Sequence, residues 1–99
     1  VIKLFSNTTV NGSSAEVAIN VPSLPAELLL YSDGLGGATV TFKIRRGDSR
    51  ELVVAIHAED TKEIVQLTGT VSLSSRTVIY ISAEITGVTV ATNAEVGVM

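Results

Sequence analysis

Across residues 38–45 (Ala-Thr-Val-Thr-Phe-Lys-Ile-Arg) apolar and polar side chains alternate without a break. Ala38, Val40, Phe42 and Ile44 share one parity, and Thr39, Thr41, Lys43 and Arg45 the other. Successive side chains on a strand point to opposite faces, so the pattern predicts a strand with one dry and one wet face. An antiparallel sheet packed on one side has that look. The alternation recurs at 15–21, with Ala15, Val17, Ile19 and Val21 together, and at 64–73, with Val65, Leu67, Gly69, Val71 and Leu73 together. Shorter strands are predicted at 2–6, 26–32, 50–58 and 88–91, a strongly apolar one at 77–85, and a last short strand or tail at 95–99. No stretch sustains a period near 3.6.

Turn signals separate these segments. Asn11-Gly12, Asp33-Gly34-Leu35-Gly36-Gly37, Gly47-Asp48 and Ser74-Ser75 are turn chemistry. Pro22 and Pro25 bracket a break, because neither can donate to a ladder. Segments 38–45 and 50–58 read as a hairpin about Gly47-Asp48. About eight short strands at this spacing predict one all-β domain over residues 1–99. The expected fold is an antiparallel β-sandwich of about 7–8 short strands, jelly-roll or Ig-like.

Composition narrows the function. Hydrophobic residues are 45% of the chain but aromatics only 4%, so the core is aliphatic. The formal net charge is -3, the pI is about 4.9, and the seven basic residues are spread from Lys3 to Arg76. Nucleic-acid binding wants a concentrated basic surface, so no nucleic-acid partner is expected. No run reaches the roughly 20 apolar residues of a membrane helix, so no membrane partner is expected either. With no cysteine, disulfides, thiolate metal sites and cysteine nucleophiles are excluded. A chain that starts at Val1 reads as a processed or trimmed product, soluble and made in a cytoplasm.

Candidate chemistry is sparse. His57 is the single histidine. It shares a parity with Ala55 and Glu59, opposite Val54, Ile56 and Ala58, which predicts an exposed or half-exposed strand face rather than a catalytic base. Many serines would allow a Ser-His-Asp set on paper, but no Gly-x-Ser-x-Gly elbow supports one. Glu59, Asp60 and Glu63 form an acidic patch without the spacing of a dedicated calcium loop, and read as solvated. The glycines at 34, 36 and 37 lack the Lys-Ser/Thr pair of a phosphate loop. Arg46-Gly47-Asp48-Ser49 matches the integrin-recognised tripeptide, yet Gly-Asp is also what a tight turn prefers, and the turn reading is favoured. Tyr31 and Tyr80 read as core residues. With no Trp, the chain is short of stacking surface for sugars. No catalytic residue, metal or cofactor is expected.

The order of elements resembles small β-sandwich virion proteins of tailed phages. The likeness is carried by Leu4-Phe5, Gly12-Ser13-Ser14, Glu16 to Val21 and Gly36-Gly37-Ala38-Thr39-Val40-Thr41. Tyr80-Ile81-Ser82-Ala83-Glu84-Ile85-Thr86-Gly87 and Val88-Thr89-Val90 carry it in the second half. The resemblance implies a capsid decoration or cement protein: a non-enzymatic homotrimer on the outside of the head, bound to the major capsid protein. Contacts are expected from Arg45, Arg46 and Arg50 and from the apolar end, Val96, Val98 and Met99. The alternative is a carbohydrate- or cell-surface-binding β-sandwich module of a phage tail or adhesin.

Overall fold

The computed structural model describes residues 2–21, 26–46, 51–67 and 77–98. These form nine strands: β1 (Ile2–Thr8), β2 (Gly12–Ser13), β3 (Val17–Val21), β4 (Ala26–Asp33), β5 (Thr39–Arg46), β6 (Leu52–His57), β7 (Thr61–Leu67), β8 (Thr77–Thr86) and β9 (Thr92–Val98). One sheet has the order β1-β9-β4-β7. The other runs β2-β8-β5-β6, with β3 continuing along the same side of β8 as β2. All pairings are antiparallel.

The pairing has one simple rule. Ile2 stands opposite Val96, Val17 opposite Ile81, Leu28 opposite Val65, and Val40 opposite His57. Each pair is mirrored about residues 46–50 in the middle of the chain. The chain is therefore one long hairpin ribbon, rolled so that consecutive strands pass to alternate sheets. The exceptions are β2 and β3, which share one side of β8, and β5 and β6, which pair with each other. Nested pairing of this kind, first strand with last, is the jelly roll. An immunoglobulin sandwich would divide the strands differently between its sheets.

Rolling brings the dry faces together. Val40, Phe42, Ile79, Ile81 and Ile85 from one sheet meet Leu28 and Leu30 from the other, all with no exposed surface. Burying a side chain of this size contributes roughly 1.5–3 kcal/mol each, so the aliphatic seam holds the sheets face to face. Leu35 adds a plug at one end. It sits in the turn between β4 and β5, is fully buried, and its N–H donates to Asp60 Oδ1 at 3.0 Å. Gly34 makes that turn fit. Its φ is +70°, and a Cβ there would lie 2.5 Å from the Ala91 carbonyl oxygen.

Three expectations change. His57 is buried, not exposed, because the β5–β6 register sets it opposite inward-facing Val40. Ile56, opposite Thr41, therefore points outward and is 63% exposed, and a register shift between Phe42 and Lys43 sets Val53 opposite Lys43, where it is 55% exposed. Residues 88–91 form no strand: Val90 is about half exposed in a loop, and the last strand begins at Thr92. That strand is no tail, since β9 pairs with both β1 and β4. The Pro22/Pro25 break, the Gly47-Asp48 turn and the stretch with Val71, Leu73 and Ser74-Ser75 lie outside the described residues.

Two stability outcomes follow. Phe42→Ala should lower the unfolding free energy by about 3–5 kcal/mol in urea titration, the usual result of emptying a sealed aromatic site. Gly34→Ala should cost more than Gly37→Ala in the same assay. Both glycines have positive φ, but only Gly34 also lacks room for the added carbon.

Candidate functional site

The inward turn of His57 joins it to two polar side chains. Ser32 comes from β4 and Glu63 from β7, both in the first sheet, while His57 comes from β6 in the second. Ser32 Oγ lies 2.7 Å from His57 Nδ1, and Glu63 Oε1 lies 2.5 Å from Nε2. A neutral imidazole protonated on Nε2 satisfies both contacts: Nε2–H donates to the carboxylate and the Ser32 hydroxyl donates to Nδ1. The Phe42 ring meets the imidazole edge-on, with centroids 5.0 Å apart.

The residue types are those of a nucleophile, a base and an orienting acid, but access is missing. Ser32 is 0% exposed and His57 2% exposed. A reactive hydroxyl must meet a substrate carbon, and this one faces packed side chains. Only Glu63 reaches solvent, with a side chain 41% exposed. The set works as a polar bridge between the two sheets, where each buried group has a partner.

The acidic patch does not act as a unit. Asp60 accepts the Leu35 N–H, Glu63 accepts from His57, and Glu59 is exposed, with its carbonyl accepting the Thr61 hydroxyl at 2.6 Å. Among the described residues no three His, Asp or Glu side chains are grouped as a metal site. No helix there is long and apolar enough to cross a membrane.

The expected contact residues separate. Arg45 makes a two-pronged pair with Glu16, Nε to Oε2 at 2.9 Å and Nη2 to Oε1 at 3.0 Å, and lies 4.3 Å over the Tyr80 ring. The hydrogen bond from Arg45, reinforced by its charge, holds the Glu16 carboxyl below its ordinary pKa against a smaller effect of burial. Val96 is 1% exposed and packs in the core, so its side chain serves this chain's interior rather than a contact between copies. Val98 pairs through its backbone with Leu28, and Arg46 with Ile79. Arg50, Met99 and the Gly47-Asp48 pair lie outside the described residues.

The surface feature that parity reading missed is β6. It is the last strand of its sheet among the described residues, and none of these pairs with the far side of its backbone ladder. Leu52, Val53 and Ile56 are 64%, 55% and 63% exposed along it. The segment Leu-Val-Val-Ala-Ile-His carries no Lys, Arg, Asp or Glu. Natural edges are normally blunted by charge or proline, and this one is not.

No protein-family model, curated protein or solved structure matches the chain.

A double-mutant cycle checks the polar bridge. Ser32→Ala alone should cost about 1–3 kcal/mol by leaving Nδ1 without a partner. Ser32→Ala with His57→Leu should cost clearly less than the two single changes added together, as read in urea unfolding. A separate outcome concerns acid. Because the folded Glu16 carboxyl titrates below its ordinary value, its contribution is complete above that value and is lost as the pH falls through the lowered one. The stability gap between wild type and Glu16→Gln should therefore be widest near neutrality and close on acidification, in melts run across acid pH.

Proposed function

We propose that this chain is a structural virion protein of the capsid decoration type, which cements a phage head and catalyses nothing. The observation that carries this reading is the uncharged, apolar edge of β6, unpaired among the described residues. Strand addition supplies backbone hydrogen bonds along such an edge, and Leu52, Val53 and Ile56 supply the apolar contact. The occupant in this reading is the major capsid protein, with further copies of the chain completing a homotrimer. The sealed Ser32–His57–Glu63 bridge supports it too, since the chemistry that could have served a hydrolase is spent on joining the sheets.

The physical mechanism is repetition. Each site adds a modest burial, and a symmetric shell presents many identical sites, so small local energies sum into mechanical strength. An acidic surface keeps many copies soluble beside one another. The head exterior is the place this reading assigns, after synthesis in the host cytoplasm.

The test is binding to shells. The purified chain should sediment as a trimer and co-sediment with expanded empty heads but not with immature ones. Ile56→Lys should weaken that co-sedimentation about tenfold or more while leaving the melting temperature nearly unchanged, because the side chain is already exposed. A monomer that ignores expanded heads, or an Ile56→Lys variant that binds them as well as wild type, would refute the reading.

A further inference from the structure

A hollow of about 220 Å³ opens on the outward face of the β1-β9-β4-β7 sheet, lined by Leu29, Tyr31, Lys62, Glu95, Val96 and Gly97. The register explains it. Tyr31 stands opposite Glu95 on one side and Lys62 on the other, while Leu29 stands opposite Gly97. The missing side chain of Gly97 leaves a gap in a face that its neighbours otherwise cover. Leu29 and the Tyr31 ring wall the gap, and one acid and one base flank it. Neither Lys62 nor Glu95 has an ion pair or side-chain hydrogen bond among the described residues.

We propose that this hollow binds a single neutral pyranose ring of a saccharide. A sugar presents an apolar C–H face and a rim of hydroxyls that both donate and accept. The Tyr31 ring and Leu29 suit the first, while Lys62 as donor and Glu95 as acceptor suit the second. The volume lies below the roughly 300 Å³ at which drug-sized sites begin, so one ring fits and an extended ligand does not. Three carboxylates near the hollow, Asp33, Asp60 and Glu95, outweigh the Lys62 ammonium and disfavour anions. The Asp33 charge most strongly, then burial, and after them Glu95 and Asp60, push the Tyr31 phenol above its ordinary pKa, and the phenol donates to Asp33 Oδ2 at 3.3 Å. Phosphates and acidic sugars would meet that same negative potential. Two tyrosines looked too few for sugar binding in the sequence, but one of them is partly exposed and lines a gap in this sheet face. The site is on the other sheet from the β6 edge and does not depend on the shell-binding reading.

Amide NMR of the intact chain tests it, with methyl glycosides of glucose, galactose, mannose and N-acetylglucosamine as probes and inorganic phosphate as the anionic control. At least one glycoside should cause saturable shifts centred on Leu29, Tyr31, Lys62, Glu95 and Gly97, and phosphate none. Gly97 is not among the glycines with positive φ, so Gly97→Val suits its strand backbone. That variant should fill the gap and weaken binding about tenfold or more, with unchanged spectra elsewhere. Tyr31→Ala, which removes a wall instead of filling the floor, should weaken it similarly and serves if Gly97→Val does not fold. The proposal fails if no glycoside shifts these amides, if phosphate shifts them instead, or if binding survives the folded variants.

Discussion

In an antiparallel ladder, residues that stand opposite one another share a face. Here that constraint acts along a single ribbon mirrored about the middle of the chain, from Ile2 opposite Val96 to Val40 opposite His57. Once Val40, Phe42 and Ile44 turn inward, their partners on β8 turn inward as well, and so does His57 opposite Val40 on β6. Ile81, Ala83 and Ile85 are suited to that, and the core is aliphatic because these partners are. His57 is not an obvious core residue, yet the same rule places it inside. The Ser32–His57–Glu63 bridge is the response: two hydrogen bonds make a buried imidazole tolerable where an unpartnered one would be expensive.

That dependence explains which parts were legible in the sequence. Segments with clean alternation and an aliphatic face were read correctly, because period-two burial is a local property. Val17 and Ile19 on β3 and the inner row of β5 are of this kind. His57 was misread because its neighbours Val54, Ile56 and Ala58 are apolar, and local parity favoured them as the buried set. Only the pairing with β5, which sets His57 opposite Val40 and Ile56 opposite Thr41, reverses that choice, and pairing is not written in any one segment. Residues 88–91 were misread for a related reason. Val88 and Val90 carry strand composition, but the glycine-rich turn at 34–37 packs against this stretch, with the Thr89 hydroxyl donating to the Gly36 carbonyl, so they form a loop.

The candidate site was legible only in outline. The absence of a recognisable catalytic motif pointed to a surface function, and the basic cluster near residue 46 pointed to one end of the molecule. Arg45, however, is engaged with Glu16 and Tyr80, and Val96 is interior. The exposed Ile56 and Val53 of β6 and the gap at Gly97 both arise from register, one from pairing that sets them opposite Thr41 and Lys43 and one from a glycine facing Leu29 across a ladder. Each is a consequence of the rolled ribbon, and each becomes visible only when strands distant in sequence are laid side by side.

Backbone NOE spectroscopy tests the mirrored pairing most directly. Cross-strand contacts should join Ile2 to Val96, Val17 to Ile81, Leu28 to Val65 and Val40 to His57. A meander pattern, in which β1 contacts β3 and β3 contacts β4 in place of these distant partners, would contradict the fold and everything derived from it.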